Sequence, residues 1–494
     1  MSSILTNNSA MVALQTLKGI NSNLAKAQDE ISTGKSIATA RDNSAVWAIS
    51  KVMESDVKGF KAIADSLSLG QSTVTVARAA SETVADLLTD IKGKIVAAQE
   101  ANVDRSKIQT DISALRDQIN AIVGAAQFNG LNLVSGNEDV NILSSLDRSA
   151  NGTVAASNIT IARKDLTNAA GVLGTGTDLS ANATLSAAAA TNAGNTATIT
   201  LAADADVSGD SFSITVGGAT LSFAVGSIAG DQDAAASAIS GAINALGLVG
   251  VTAGAAGGVI TLTSTRAFED VAIAGTKNGG GTDITLSAAS IAERSETLTF
   301  SGSANVNEGD GYQITVGGTA YTYVAGRGEN FEDVARGLKT AVDGGNVTGL
   351  TTQVAQNSSG QWQLKIDNNT ASSVSLARAG AAGGTASGGL FGLGAIDVTT
   401  NAGATAALGN IETLIANAID AAASFGSAQG RIDNQSSFIG ALTDSLRSGI
   451  STLVDADMEE ASARLQALQV QQQLGIQSLS IANQQPQSIL ALFR

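Results

Sequence analysis

Cysteine and histidine are absent from the 494 residues, proline occurs once, and there are only two tryptophans and three tyrosines. Without Cys and His the chain lacks the side chains that build most zinc, copper and haem sites. It also lacks the usual thiol nucleophile and the one side chain that titrates unperturbed near neutral pH. Disulfides are excluded, so stability must come from packing and assembly. The 28 basic residues are outnumbered by 44 acidic ones, and the formal charge of −16 is opposite to the footprint of a nucleic-acid binder. No run approaches the ~18 apolar residues that a membrane helix needs. The first basic residue is Lys18, so the start of the chain has no charged region ahead of an apolar core, and no cleaved secretory signal is expected. No nucleophile–base pair, phosphate loop or metal constellation is visible. Neither catalytic residues nor a cofactor nor a metal is therefore expected.

At about 150 residues per domain the length allows roughly three folded units, and the patterning divides the chain into three zones. Near the start, Ala10, Ala13, Leu17, Ile20, Leu24, Ala27 and Ile31 are spaced alternately by three and four. Ala77, Ser81, Val84, Leu88, Ile91, Ile95 and Ala98 repeat the pattern. Ile108, Ile112, Leu115, Ile119, Ile122 and Ala126 form a third stripe, with Asp104 placed to cap it. A fourth runs through Ile411, Ile415, Ala418, Ala422, Phe425, Ile432, Ile439, Leu446, Ile450 and Leu453, with polar Gln429, Ser436 and Thr443 in intervening slots. Stripes this narrow with a period near 3.5 are the mark of coiled-coil helices, which cannot bury their seams alone. The simplest arrangement pairs the amino-terminal helices with an antiparallel carboxy-terminal helix. The acidic group Asp455, Asp457, Glu459 and Glu460 reads as a helix amino terminus rather than a metal site. Pro486 suits a helix end or the start of a new one.

The centre, roughly 150 to 400, is rich in Gly, Thr, Ser, Ala and Val, and alternates with period two. It also repeats: Gly209-Asp-Ser-Phe-Ser-Ile-Thr-Val-Gly-Gly218 returns as Gly309-Asp-Gly-Tyr-Gln-Ile-Thr-Val-Gly-Gly318. Each copy predicts a hairpin through Gly-Gly, a short helix (233–246 or 331–342) and a closing hairpin ending near Thr263 or Ile366. The repeats span about 197–265 and 296–370. The expected class is therefore a multi-domain α plus β chain, with long paired terminal helices and inserted β-rich outer domains.

Three stretches carry a family resemblance. Ile31-Ser-Thr-Gly-Lys-Ser-Ile-Ala-Thr-Ala-Arg-Asp-Asn-Ser-Ala-Val-Trp-Ala-Ile-Ser50, Ala125-Ala-Gln-Phe-Asn-Gly-Leu-Asn-Leu-Val134 and Ile481-Ala-Asn-Gln-Gln-Pro-Gln-Ser-Ile-Leu-Ala-Leu-Phe-Arg494 resemble segments of bacterial flagellins. Ala242-Ile-Asn-Ala245 is similar to the IN motif inserted in flagellins and hook-associated proteins. The likeness is strong over about 1–140 and 405–494 and weak in the centre.

The resemblance implies a secreted homopolymer, the extracellular flagellar filament used for swimming, exported through the flagellum's own type III channel. It implies an inner coiled-coil layer (1–40 and 455–494), an outer helical layer (41–150 and 400–454) and a surface insertion (151–399). An export chaperone, a cap protein and hook-junction proteins are implied as partners. Leu5, Leu14, Leu17, Ile20 and Leu24, with Ile481, Leu490, Leu492 and Phe493, are the candidate filament-assembly contacts, and Arg41 and Asp42 the candidate intersubunit charges. Flagellins are sensed by an innate immune receptor through a pattern Arg-x-Arg-Glu-Leu-Ala-x-Gln. Here Lys92-Gly-Lys-Ile-Val-Ala-Ala-Gln99 departs from it at both arginines and the glutamate, so weak or absent recognition is expected. Two other readings are a hook–filament junction protein, present in few copies, and a surface adhesin acting through residues 190–370, for which aromatic stacking residues are scarce.

Overall fold

Freedom from internal proline lets very long helices form. The computed structural model describes residues 7–148, 153–201, 211–224, 232–278 and 284–492, with backbone alone over 485–492. Its α-helices are α1 (Asn8–Thr33), α2 (Ser44–Ala97), α3 (Arg105–Ala125), α4 (Gln232–Ala245), α5 (Phe331–Gly344), α6 (Asn401–Val454) and α7 (Met458–Leu492). The stripe at 77–98 is the second half of the 54-residue α2, and the carboxy-terminal stripe is the equally long α6. Asp104 caps α3 as expected, its side chain accepting from the Lys107 backbone N–H.

The chain divides into two compact units. One consists of Met1–Ser72, Val140–Ile161 and Ser427–Arg494. Here α1 lies against α7, and a hairpin of strands Val140–Arg148 and Val154–Ile161 packs on α2. The packing needs Gly70, because a Cβ there would meet Ile142 Cδ1 at 2.3 Å. Gln435 Nε2 of α6 donates to the Ser144 carbonyl at 2.8 Å and ties the same hairpin down. A surface insertion beginning at 151 would cut this hairpin between its strands. The structure instead keeps 140–161 with the terminal helices, because Ile142, Ile159 and Ile161 are buried.

The other unit, Thr73–Asp139 and Ala162–Gly426, holds a helical part and the two repeats. The expected stripes of α2, α3 and α6 become its core: Val84, Leu88, Ile91, Ile95, Ile112, Ile119, Ile411 and Phe425 are buried. Lys92–Glu412 (2.5 Å) and Lys94–Asp111 (2.6 Å) pair across the outside of the same helices.

Each repeat is two four-stranded antiparallel sheets enclosing one helix, α4 or α5. The Gly-Gly turns are real: Gly217, Gly218, Gly317 and Gly318 all have positive φ, the conformation a tight two-residue hairpin demands. The copies run further than the expected 197–265 and 296–370. A third long strand follows each closing hairpin, Val271–Asn278 and Val374–Ala381. Their cores differ in kind. The second copy stacks Phe300 on Phe331 at 5.4 Å with Tyr312 edge-on, while the first is aliphatic around Phe212. The IN motif acquires a physical role: Ile243 is buried, and the Asn244 amide both donates to the Ala253 carbonyl and accepts from the Ala253 N–H at 2.8 Å. Val251–Ala256 is an edge strand, so this side chain stands in for a neighbouring strand and blunts the edge.

Candidate assembly interface

In α1 the less exposed side chains are Ala10, Ala13, Leu17, Ile20, Leu24, Ala27 and Ile31, the stripe read from sequence, with Glu30 beside it. In α7 they are Ala461, Leu465, Leu468, Gln472, Gly475, Leu479 and Ala482, alternating by four and three. This second stripe was missed in the sequence because Gln472 and Gly475 hold two central slots. The spacing of Leu465, Leu468 and Leu479 was its only signal. The helices run antiparallel. Asn7 meets Ala482, Gln472 Nε2 donates to Asn21 Oδ1 at 2.7 Å, and Lys35 forms a bridge with Asp455. Gly475 is small so that Leu17 and Ile20 can fill the seam; a Cβ on it would meet Leu17 Cδ1 at 3.1 Å.

Pro486 neither ends α7 nor begins a new helix: α7 continues through it to Leu492. Proline has no N–H, so the carbonyl four residues earlier, that of Ala482, loses its intrahelical donor. Asn7 Nδ2 supplies the replacement, donating to Ala482 O at 2.8 Å. The same Asn7 caps α1, its Oδ1 accepting from the Ala10 N–H at 3.0 Å. One side-chain amide thus satisfies the end of one helix and the proline defect of the other.

At the opposite end of the seam the two chain breaks are stitched together. α1 stops at Gly34, whose φ of 69° is the left-handed cap that glycine adopts without strain. The Ser36 N–H donates to Val454 O at 2.8 Å and the Ala456 N–H to Gly34 O at 3.0 Å. Asp457 accepts from the Glu459 and Glu460 N–H groups, so the acidic cluster is a helix amino terminus.

Asp42 accepts from the Ala38 and Thr39 N–H groups and the Thr39 hydroxyl, closing a local turn. Those bonds, the one from the Thr39 backbone foremost, hold its carboxyl below the usual range. Arg41 is exposed. Of the candidate contacts, Leu17, Ile20 and Leu24 lie in the seam within one chain, whereas Leu14 (56 % exposed) and Ile481 (67 %) face outward. Leu490 and Leu492 lie where backbone alone is described, and Leu5 and Phe493 fall outside the described residues.

Outside the seam the two helices leave several large apolar side chains in solvent. Met11 and Val12 on α1 and Val470, Leu474 and Ile476 on α7 are each more than half exposed. No described helix is long and apolar enough to cross a membrane.

Comparison with known proteins shows the family. Residues 4–139 match the bacterial flagellin N-terminal helical region, and residues 408–493 the bacterial flagellin C-terminal helical region. Flagellin A of Rhizobium meliloti is 31% identical over 494 residues, covering 100% of each chain. The chain belongs to the bacterial flagellins. Flagellin B of the same organism is 31% identical over 497 residues, again 100% of both chains. Flagellin FljK of Caulobacter vibrioides is 42% identical over 139 residues, which is 28% of this flagellin and 51% of the relative. Among solved structures, flagellar hook associated protein-3 of Legionella pneumophila covers 82% of this chain and 98% of its own at 9% identity. The TM-score of 0.33 is too low to bear on function. This flagellin is a structural subunit of the extracellular flagellar filament, which serves swimming motility; it is not an enzyme, and its partners are further copies of itself and other filament components.

Proposed function

We propose that the α1–α7 seam is preassembled within each subunit and that the apolar side chains left exposed on its outside make the polymer contacts. The observation that carries this is the division of labour in the two stripes. Leu17, Ile20 and Leu24 are spent on the partner helix of the same chain, while Leu14 and Ile481, together with Met11, Val12, Val470, Leu474 and Ile476, remain in water. A surface of exposed apolar side chains on a monomer marks an interaction site. Covering it contributes about 25 cal/mol per Å². Leu5, Leu490, Leu492 and Phe493 are further candidate contacts on the sequence alone. Contacts that join different faces of identical subunits do not close, and so grow an open helix.

In this reading residues 1–40 and 455–494 form the filament's inner layer, 41–150 and 400–454 the outer helical layer, and the repeats face the medium. Arg41 pairs with a carboxylate of a neighbouring subunit, since Asp42 is engaged locally. An export chaperone holds the carboxy-terminal helix before secretion, a cap protein directs insertion at the tip, and hook-junction proteins receive the first subunits. Innate immune recognition is weak or absent, because Ile95 replaces the glutamate of the recognised pattern and is buried, and Lys92 and Lys94 are engaged with Glu412 and Asp111.

The test is electron microscopy of full-length chain and of a chain lacking residues 482–494, each added to preformed filament seeds. Long filaments from the full chain and none from the truncation are expected, with the repeats still folded. Normal filaments from the truncation would overturn the proposal.

A further inference from the structure

The duplication is longer than the Gly-Asp motif shows. Each copy is preceded by a short leader, residues 183–190 before copy one (195–278) and 284–291 before copy two (296–381). Thr184-Leu-Ser-Ala-Ala188 recurs without change as Thr285-Leu-Ser-Ala-Ala289. The structure pairs these leaders crosswise. Leader one lies on copy two, where Thr184 opposes Thr299 and Ala190 opposes Val374. Leader two lies on copy one, where Thr285 opposes Thr200 and Ile291 opposes Val271.

The two placements agree bond for bond. The Ser186 N–H donates to Thr297 O and the Ser287 N–H to Thr198 O, both at 2.9 Å. The serine hydroxyls accept in return, Ser186 from the Thr297 N–H at 2.7 Å and Ser287 from the Thr198 N–H at 2.8 Å. At the far end the Leu376 N–H donates to Ala188 O and the Ile273 N–H to Ala289 O. Each leader therefore completes both sheets of its host, and its last residue, Ala190 or Ile291, is buried there at 1% exposure.

The crossing is not forced by reach. Asn195, which opens copy one, donates to the Ala292 and Glu293 carbonyls just beyond leader two. The end of a seated leader thus lies beside the start of its host's first strand. The four residues between a leader and the next strand would span that gap if the leader sat on its own copy. What links the two copies is the connector after leader two. Its Arg294 makes a two-pronged pair with Asp367 of copy two (2.7 Å on both prongs), and both side chains are nearly excluded from solvent. Glu293 pairs with Lys365 at 2.5 Å, while the Arg294 N–H donates to Arg266 O of copy one. The matching residues after leader one, Asn192 and Ala193, carry no charge.

We propose that each copy is an acceptor groove for a Thr-Leu-Ser-Ala-Ala leader, filled by the leader of its sister copy, so that the two copies unfold as one interlocked unit. The partner of each groove is a second copy of the same module, and the connector that carries Arg294 ties the two copies together.

The absence of native cysteine makes the test direct. In the full-length monomer, Thr184→Cys with Thr299→Cys, and Thr200→Cys with Thr285→Cys, should be joined within one chain by a short thiol cross-linker. Thr184→Cys with Thr200→Cys, and Thr285→Cys with Thr299→Cys, should not. The reverse pattern would overturn the proposal. A second measurement follows Trp362 of copy two, with Trp47→Phe removing the other tryptophan. Leu185→Asn should lower the urea midpoint reported by Trp362, because its leader is a strand of copy two. Leu286→Asn should lower the same midpoint, because the copies unfold together. A midpoint unmoved by Leu185→Asn would sink the crossed assignment, and two separate transitions would sink the joint unfolding. Both readouts are taken on monomer, so they stand apart from any result on filament growth.

Discussion

Asn7 joins the amino-terminal cap to a defect near the other end of the chain, and its replacement should be felt at both. Asn7→Ala removes a helix cap, which costs about 0.5–2 kcal/mol. It also leaves the Ala482 carbonyl without the donor that Pro486 cannot provide. Filaments of this variant are expected to depolymerise at a lower temperature than wild type, and Asn7→Asp, which restores the cap but cannot donate, should recover only part of the loss. A second residue-scale effect sits beside α5. Glu329 accepts from the Tyr323 hydroxyl and the Gly326 N–H, near Asp333 and Lys164. Burial, helped by the neighbouring Asp333 charge, outweighs those bonds and raises the Glu329 carboxyl; burial raises Asp333 too. A carboxyl raised in the folded state holds its proton better there than in the unfolded chain. Its contribution is complete below the ordinary carboxylate pKa and is lost as pH rises through the elevated value. Copy two should thus gain stability from this site on acidification from neutral pH, and Glu329→Gln should flatten that dependence in urea titrations followed by Trp362 fluorescence.

At the scale of elements, the hairpin 140–161 is placed by a hole as well as by the Gln435 hydrogen bond. Gly70 provides the hole into which Ile142 fits, and a methyl group there would overlap Ile142 Cδ1 and Cγ2. Overpacking of this kind costs about 1–3 kcal/mol. Gly70→Ala should therefore loosen the hairpin despite the better helix propensity of alanine. The expected readout is faster amide exchange over 140–161 with the α1–α7 seam unchanged. The long helices were legible in the sequence because their stripes are apolar and regular, Asp104 was legible as a cap, and the acidic group at 455–460 was legible as a helix amino terminus. The α7 stripe was not, since a seam slot can be filled by Gln472 or Gly475 when the partner supplies the bulk. Pro486 was misjudged for a related reason: a helix tolerates proline when another element feeds the orphaned carbonyl, and that element lies far away in sequence.

At the scale of the whole molecule, polymerisation in the proposed assembly belongs to the terminal helices and none of it to the repeats. A chain in which 162–399 is replaced by a short Gly-Ser linker keeps the hairpin 140–161 and should still form filaments, of smaller diameter, by electron microscopy. A cut at 151–399 would remove the strand Val154–Ile161 and strip the cover from Ile142, so its filaments should be less stable to heat. In the proposed assembly the seam lets each subunit keep a helical pair of its own, and the apolar side chains outside it are offered to its neighbours.

The sequence by itself determined the family, the helical termini, the β-rich centre and the duplication, because each is written in local spacing: three-four stripes, period-two runs, Gly-Gly turns and repeated words. Tertiary structure alone decided which partner each stripe and strand would take. Whether Leu17 faces its own chain or a neighbour depends on Gly475, more than 450 positions away. That leader one completes copy two rather than copy one is visible only in the strand pairing, Thr184 opposite Thr299 and Ala190 opposite Val374. The Thr-Leu-Ser-Ala-Ala word shared by the two leaders makes matching hydrogen bonds in both hosts, so that word does not say which host its leader takes; the pairing is settled only when distant strands meet.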